Sequence, residues 1–219
     1  MQGKSSMPFF ISVGRHEAYE RSNAKYPITP SGIADAWLSG PILEEQSAPV
    51  DVIYTSPLPR AKATAVTRGM SIGCGNIIVK NALHENSAPP EVWNLVRQII
   101  SQAEEQGYKH LHLVTHQPVV SILGGSYSAS TGSICLHKGE NLKNIMDGKT
   151  EILTLGSVAE QLYALQFENP EAYDRLSARY AGLTALAQEY DGSFENLLSV
   201  YAASESQRPS AQRFSGRSR

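Results

Sequence analysis

The sequence holds only two cysteines, Cys74 and Cys135, in 219 residues. Two cysteines cannot build a disulfide scaffold, and these are not spaced as a zinc knuckle, so a small disulfide-stapled fold and a cysteine-ligated zinc module are both excluded. They fit a reducing compartment. Charge of one sign is lacking as well: Lys and Arg number 19 against 21 Asp and Glu, a formal net charge of −2. That balance excludes a chain-wide electrostatic grip on nucleic acid. No apolar run has the length of a membrane span. The N-terminal run Pro8–Val13 is too short, and is followed too soon by charge, for a signal peptide or a transmembrane helix. The expectation is a cytoplasmic protein with neither nucleic acid nor membrane among its partners. No internal repeat is visible.

With 41% hydrophobic and 18% charged residues, the chain can bury a substantial core, and its length fits one large domain with an appendage. Pro8–Val13, Val50–Thr55, Asn76–Lys80 and His110–Thr115 are compact apolar runs rich in β-branched and aromatic residues, and each predicts a buried strand. Glu151–Leu155 predicts a shorter last strand. Between them lie helical segments. Thr29-Pro30 supplies an N-cap and a first-turn proline for a helix running towards Glu45, with Gly40-Pro41 as a candidate kink. A second helix follows Pro59 through RAKATAVTRGM. A third opens at Pro89-Pro90 with Val92, Trp93, Val96, Ile99 and Ile100 at helical spacing. A short one covers Val119–Leu123, followed by a Gly- and Ser-rich loop over 124–133.

Strands alternating with helices imply parallel βαβ units, and the expected fold is an α/β class, three-layer α/β/α sandwich with a mostly parallel central sheet, plus a helical C-terminal extension. The expected division is 1–156 for the α/β domain, 157–203 for two or three helices broken at Asn169-Pro170 and Asp191-Gly192 and packing on or beside it, and 204–219 for a disordered tail with four Arg against one Glu. In such sheets ligands bind beyond the carboxyl ends of the strands. Three residues fall on those ends: His16 after the first strand, Arg60 after the second and His116 after the fourth.

Histidines and arginines converging at one sheet edge make an anion pocket that contains a nucleophile. Guanidinium forks bind phosphate oxygens bidentately, and a neutral imidazole can attack phosphorus. A second imidazole can stabilise charge on the equatorial oxygens, and a carboxylic acid must protonate the leaving oxygen.

These residues resemble the histidine phosphatase superfamily, which includes phosphoglycerate mutases and phosphohistidine phosphatases. Arg15-His16 resembles its R-H-G signature, and Ile28-Thr29-Pro30-Ser31-Gly32 resembles its L-T-x-x-G helix start. Ser56–Ala65, reading SPLPRAKATA, is similar to its S-P-L-x-R-A-x-x-T-A motif, and Val114-Thr115-His116 resembles its strand-end histidine. The four occur in the family's order over roughly residues 8–125. The resemblance implies His16 as the nucleophile and Arg15, Arg60 and His116 as the phosphate pocket. It implies Glu85 as proton donor, with Glu91 in reserve, and Asn23 as a pocket residue shifted by one position. It further implies a phosphatase acting on a phosphomonoester or a phosphohistidine. The partner is then a small phosphorylated substrate or a phosphoprotein. No metal or organic cofactor is required, because side chains supply the positive charge.

One departure stands out. Where the family has Gly after the nucleophile, this chain has Glu17, which would repel phosphate if aimed inward or else swing to solvent. Two further readings are therefore kept: a non-catalytic module that binds a phosphorylated ligand, and a mutase-type phosphotransferase. His110-Leu111-His112 admits a metal site, a weaker reading because no acidic ligand lies close in sequence. His84 and His137 are taken as incidental.

Overall fold

The computed structural model describes residues 8–21, 27–124, 130–141, 144, 145 and 147–206. Among the described residues one six-stranded sheet has the strand order β3-β2-β4-β1-β5-β6, where β1 is Phe9–Arg15, β2 Val52–Thr55, β3 Ile77–Val79, β4 His110–Thr115, β5 Ile134–Gly139 and β6 Glu151–Leu155. The first four strands in that order pair in parallel, and β5 and β6 add antiparallel at one edge. The mostly parallel sheet expected from sequence is what forms. Strand β5 is the element that sequence reasoning missed.

Period-two alternation along the strands sorts side chains to two faces. Ile11, Val13, Val52, Tyr54, Leu111 and Leu113 meet helix α3 (Pro89–Gln106) and helix α4 (Gln117–Ile122). Phe10, Ile53, Val114, Ile134 and Leu136 meet helix α1 (Pro30–Glu45) and helix α2 (Pro59–Ile72). Both faces are covered, which gives the three layers.

Helix α1 begins as the sequence predicts: Pro30 opens it, and the Thr29 hydroxyl accepts from the Gly32 N–H at 3.0 Å. It runs through Gly40-Pro41 without splitting. Gly40 is required there, because a Cβ would lie 2.4 Å from Ser71 Oγ and 3.2 Å from Arg68 O on α2. After β6 come three helices, α5 (Val158–Glu168), α6 (Pro170–Glu189) and α7 (Phe194–Ser206). Ser157 and Glu160 cap α5 reciprocally. The three helices share one apolar cluster with α1, in which Ile33, Trp37 and Leu38 meet Val158, Leu176, Leu183, Leu197 and Tyr201. Of the expected tail, residues 204–206 complete α7, and the rest lies outside the described residues. No helix among the described residues is long and apolar enough to cross a membrane.

Candidate active site

Register alone brings the strand-end residues together. Parallel pairing sets Arg15 opposite Thr115 and Thr55 opposite Val114, so His16, Ser56 and His116 leave the sheet side by side. Main-chain bonds hold that edge: His16 N–H to Thr115 O at 2.9 Å, Ser56 N–H to Val114 O at 3.0 Å and Arg15 N–H to Ser133 O at 3.0 Å. The Thr115 hydroxyl donates to Leu83 O at 2.7 Å, tying the 3-10 turn Asn81–Leu83 and the following Glu85 to the end of β4. Helix α2 starts at Pro59, so Arg60 in its first turn reaches across the edge.

The hydrogen bonds fix the state of both imidazoles. His16 Nδ1–H donates to Glu17 O at 2.7 Å, and its Nε2 accepts from Arg60 Nε at 3.1 Å. The lone pair therefore sits on Nε2, facing the arginine. His116 Nδ1 accepts from Arg60 Nη2 at 3.3 Å while its Nε2–H donates to Ser56 Oγ at 2.8 Å. The two rings lie 5.0 Å apart. Burial, reinforced by the charges of Arg60, Arg15 and Arg68, pushes His16 down to about 4. Burial, the neighbouring His16, and the charges of Arg60 and Arg15 push His116 down to about 3. Both are neutral near pH 7, the form in which Nε2 of His16 can attack. Glu85 Oε2 takes a charged hydrogen bond from Arg60 Nη2 and stands 3.9 Å from His116 Nδ1, with its side chain 42% exposed. The structure thus gathers His16, Arg60, His116 and Glu85. Arg15 closes β1 immediately before His16, and its charge contributes to holding both histidines neutral. Glu91 instead accepts from the Ala88 N–H at 3.2 Å as the first-turn acid of α3. Asn23 lies outside the described residues.

Glu17 takes neither of the two positions expected for it. It is fully buried beneath the edge, and its Oε1 accepts from Arg68 Nη2 at 2.6 Å. Its N–H donates to Thr64 Oγ1 at 3.0 Å. The repulsion argument against phosphate binding falls with that placement. His110 and His112 are not ligands but links in a buried chain. Arg68 Nη1 donates to His112 Nε2 at 3.3 Å, His112 Nδ1–H to Ser12 Oγ at 2.8 Å, Ser12 Oγ–H to His110 Nε2 at 2.8 Å, and His110 Nδ1–H to Ala48 O at 2.8 Å. Every lone pair a metal would need is used, and a guanidinium stands at one end.

Three residues at the site escaped sequence reasoning. Tyr19 lies edge-on to His16 with ring centres 5.4 Å apart, and its face carries the Arg60 guanidinium 4.6 Å from the ring centre. His84 stands against the pocket, 6.4 Å ring to ring from His116. Arg68 is the third. Its signal was the spacing Arg60, Thr64, Arg68, which puts all three on one face of α2.

The histidine phosphatase superfamily (branch 1) matches residues 14–89 in sequence. No curated protein matches the chain at comparable significance. Among solved structures, a putative phosphohistidine phosphatase SixA from Nakamurella multipartitia superposes with a TM-score of 0.51 at 15% identity, over 71% of this chain and 99% of that one. The protein histidine phosphatase SixA complexed with tungstate superposes with a TM-score of 0.53 at 17% identity, over 68% of this chain and 97% of that one. At these identities the structures show a common fold. Over residues 14–89, and on this fold, the chain matches the histidine phosphatase superfamily, as the Arg15-His16 and Ser56–Ala65 motifs led us to expect.

Proposed function

We propose that the protein is a phosphatase that hydrolyses a phosphomonoester or a phosphohistidine through a phosphohistidine on His16. The observation that carries this reading is the orientation of His16: Nδ1–H is committed to Glu17 O, which leaves the Nε2 lone pair aimed at Arg60 in a cationic pocket. Phosphate oxygens entering there replace the Arg60–His16 and Arg60–Glu85 contacts and are held by Arg15 and Arg60, with His116 donating from Nδ1 once its proton moves there and the Ser56 hydroxyl donates to Nε2. Nε2 attacks phosphorus as the bond to the leaving oxygen breaks, and Glu85 gives that oxygen its proton. The carboxylate then takes a proton from water, whose oxygen attacks the phosphorus of the phosphohistidine. Inorganic phosphate leaves, and Nε2 is free again. No metal or organic cofactor enters these steps. The name of the SixA structures supports a phosphohistidine as one substrate class, and a small phosphoester is the other.

Hydrolysis of p-nitrophenyl phosphate, with His16→Ala beside the wild type, tests the reading. Turnover by the wild type alone, with acid-labile and alkali-stable phosphate trapped on the protein, is the expected result. Binding of phosphate without turnover of any phosphoester or phosphohistidine offered overturns it. Recovery of phosphate on a second hydroxyl of a sugar or glycerate phosphate replaces hydrolysis by a mutase reaction.

A further inference from the structure

Among the described residues, the fully buried Arg68 is the largest side chain with essentially no exposure, and it lies outside the phosphate pocket. Four of its five N–H donors are spent on a narrow set of acceptors. Nε donates to Ser39 Oγ at 2.9 Å, Nη1 to His112 Nε2 at 3.3 Å, and Nη2 to both Glu17 Oε1 at 2.6 Å and Gly132 O at 3.0 Å. Glu17 and Gly132 both hold His16: Glu17 O receives its Nδ1–H, and Gly132 N–H donates to its carbonyl at 3.2 Å. One guanidinium therefore ties together two of the residues that hold His16.

The surrounding sequence is shaped to admit it. A Cβ on Gly14, two residues before His16, would lie 2.5 Å from Arg68 Nη1. A Cβ on Gly132, whose φ is +83°, would lie 2.3 Å from Glu17 Oε2. On α2 the same face carries Arg60 against Nε2 of His16, Thr64 against the N–H of Glu17 and Arg68 against its carboxylate. Three side chains one helical turn apart thus fix the ring, the peptide and the carboxylate of the His16-Glu17 unit.

We propose that Arg68 is a positioning residue for the nucleophile: through the Glu17 carboxylate and Gly132 O it fixes the Glu17 carbonyl that holds His16 as the Nδ1–H tautomer with Nε2 free. A glycine at position 17 would leave that carbonyl on a flexible link, whereas here an ion pair buried on both sides anchors it. The proposal rests on the phosphohistidine reading for its catalytic consequence but not for its structural content. Other charged or titratable groups facing the pair are Asp35 from α1, His112 from β4 and Tyr180 from α6.

Arg68→Met is the test, read in two ways on the full chain. Long-range 1H–15N correlation spectra of the histidine side chains report the His16 tautomer without any need for turnover, with His16→Ala assigning the signal. The wild type is expected to show Nδ1 protonated and Nε2 bare, and the variant an averaged mixture. With p-nitrophenyl phosphate, kcat is expected to fall by about 10- to 100-fold while KM stays within about twofold, since the phosphate contacts are untouched. A role confined to stability lowers the melting temperature but leaves the tautomer and the kcat of folded protein as they were, and that result overturns the proposal. Should Arg68→Met fail to fold, Arg68→Lys keeps the charge but loses the fork, and is expected to shift both readouts in the same direction by less. An unchanged tautomer and kcat in that folded variant also overturns it. A wild type that turns over nothing yet loses the tautomer in the variant defeats the phosphatase reading and leaves the positioning role standing.

Discussion

In the proposed reaction Glu85 is the proton donor, and it stands against Arg60 and 3.9 Å from His116 Nδ1. Its removal has a signature that distinguishes it from general damage. p-Nitrophenolate is a weakly basic leaving group and departs without help, so in Glu85→Gln the first step survives while the second loses its base. We expect a burst of nitrophenolate close to one equivalent of enzyme, followed by turnover slowed about 10²- to 10⁴-fold, and phosphohistidine accumulating in between. An alkyl phosphate should show no burst. A variant that turns over both substrates at wild-type rates assigns the proton to another group. Glu17 makes the opposite kind of residue-scale case. Restoring the family's glycine by Glu17→Gly removes the partner of a buried guanidinium, so we expect it to destabilise the fold by about 3–5 kcal/mol, read by urea denaturation. Unchanged stability would show that Asp35 can replace Glu17 as counter-charge.

At the scale of elements, the strands and helices that carry motif residues are legible because each has its own local signal: a β-branched run, a proline at a helix start, a left-handed glycine at a helix end such as Gly73 or Gly107. What is illegible is set by tertiary contact. Strand β5 follows a glycine- and serine-rich stretch, and His137 and Lys138 cut its apolar run to Ile134–Leu136, too short to announce a strand. The placement of Glu17 likewise depended on a partner 51 positions away. The strand-end rule found His16, Arg60 and His116 because chain order fixes strand ends. It could not find Tyr19 or His84, which reach the pocket from loops. The α1–α2 contact is equally non-local and gives a direct test. Gly40→Ala puts a methyl 2.4 Å from Ser71 Oγ and 3.0 Å from Ile72 Cγ2, and we expect a loss of about 1–3 kcal/mol, visible as a melting temperature lower by several degrees. The C-terminal helices are held by a comparable element-scale contact. Tyr201 is fully buried, edge-on to Trp37 with ring centres 5.4 Å apart, and its hydroxyl donates to Leu183 O. Tyr201→Ala should cost about 3–5 kcal/mol if α7 is integral to the fold, and under about 1 kcal/mol if it is merely appended.

For the whole molecule, the buried titratable groups set opposing slopes of stability with pH. His16, His110, His112 and His116 are all held below the ordinary 6.5, in each case chiefly by burial. Between 6.5 and about 4 the unfolded chain binds protons that the folded chain refuses, so stability falls as pH drops through that window, by up to about 1.4 kcal/mol per pH unit for each histidine. Glu17 and Asp35 work the other way. Arg68 can neutralise one of these two buried carboxylates and not both, so a proton is retained by the pair, and burial drives both upward from the carboxylate range. Above 6.5, where the histidines no longer contribute, the folded chain binds more protons than the unfolded one, and stability falls as pH rises until the pair has ionised. The two slopes meet near pH 6.5, where urea denaturation should find the maximum. Asp35→Asn removes one of the two carboxylates and should flatten the alkaline slope while leaving the acid slope in place. A stability curve still rising from pH 6.5 to about 8 in the wild type would mean that both carboxylates are ionised in the folded state, and that the Glu17–Arg68 pair is held without a shared proton.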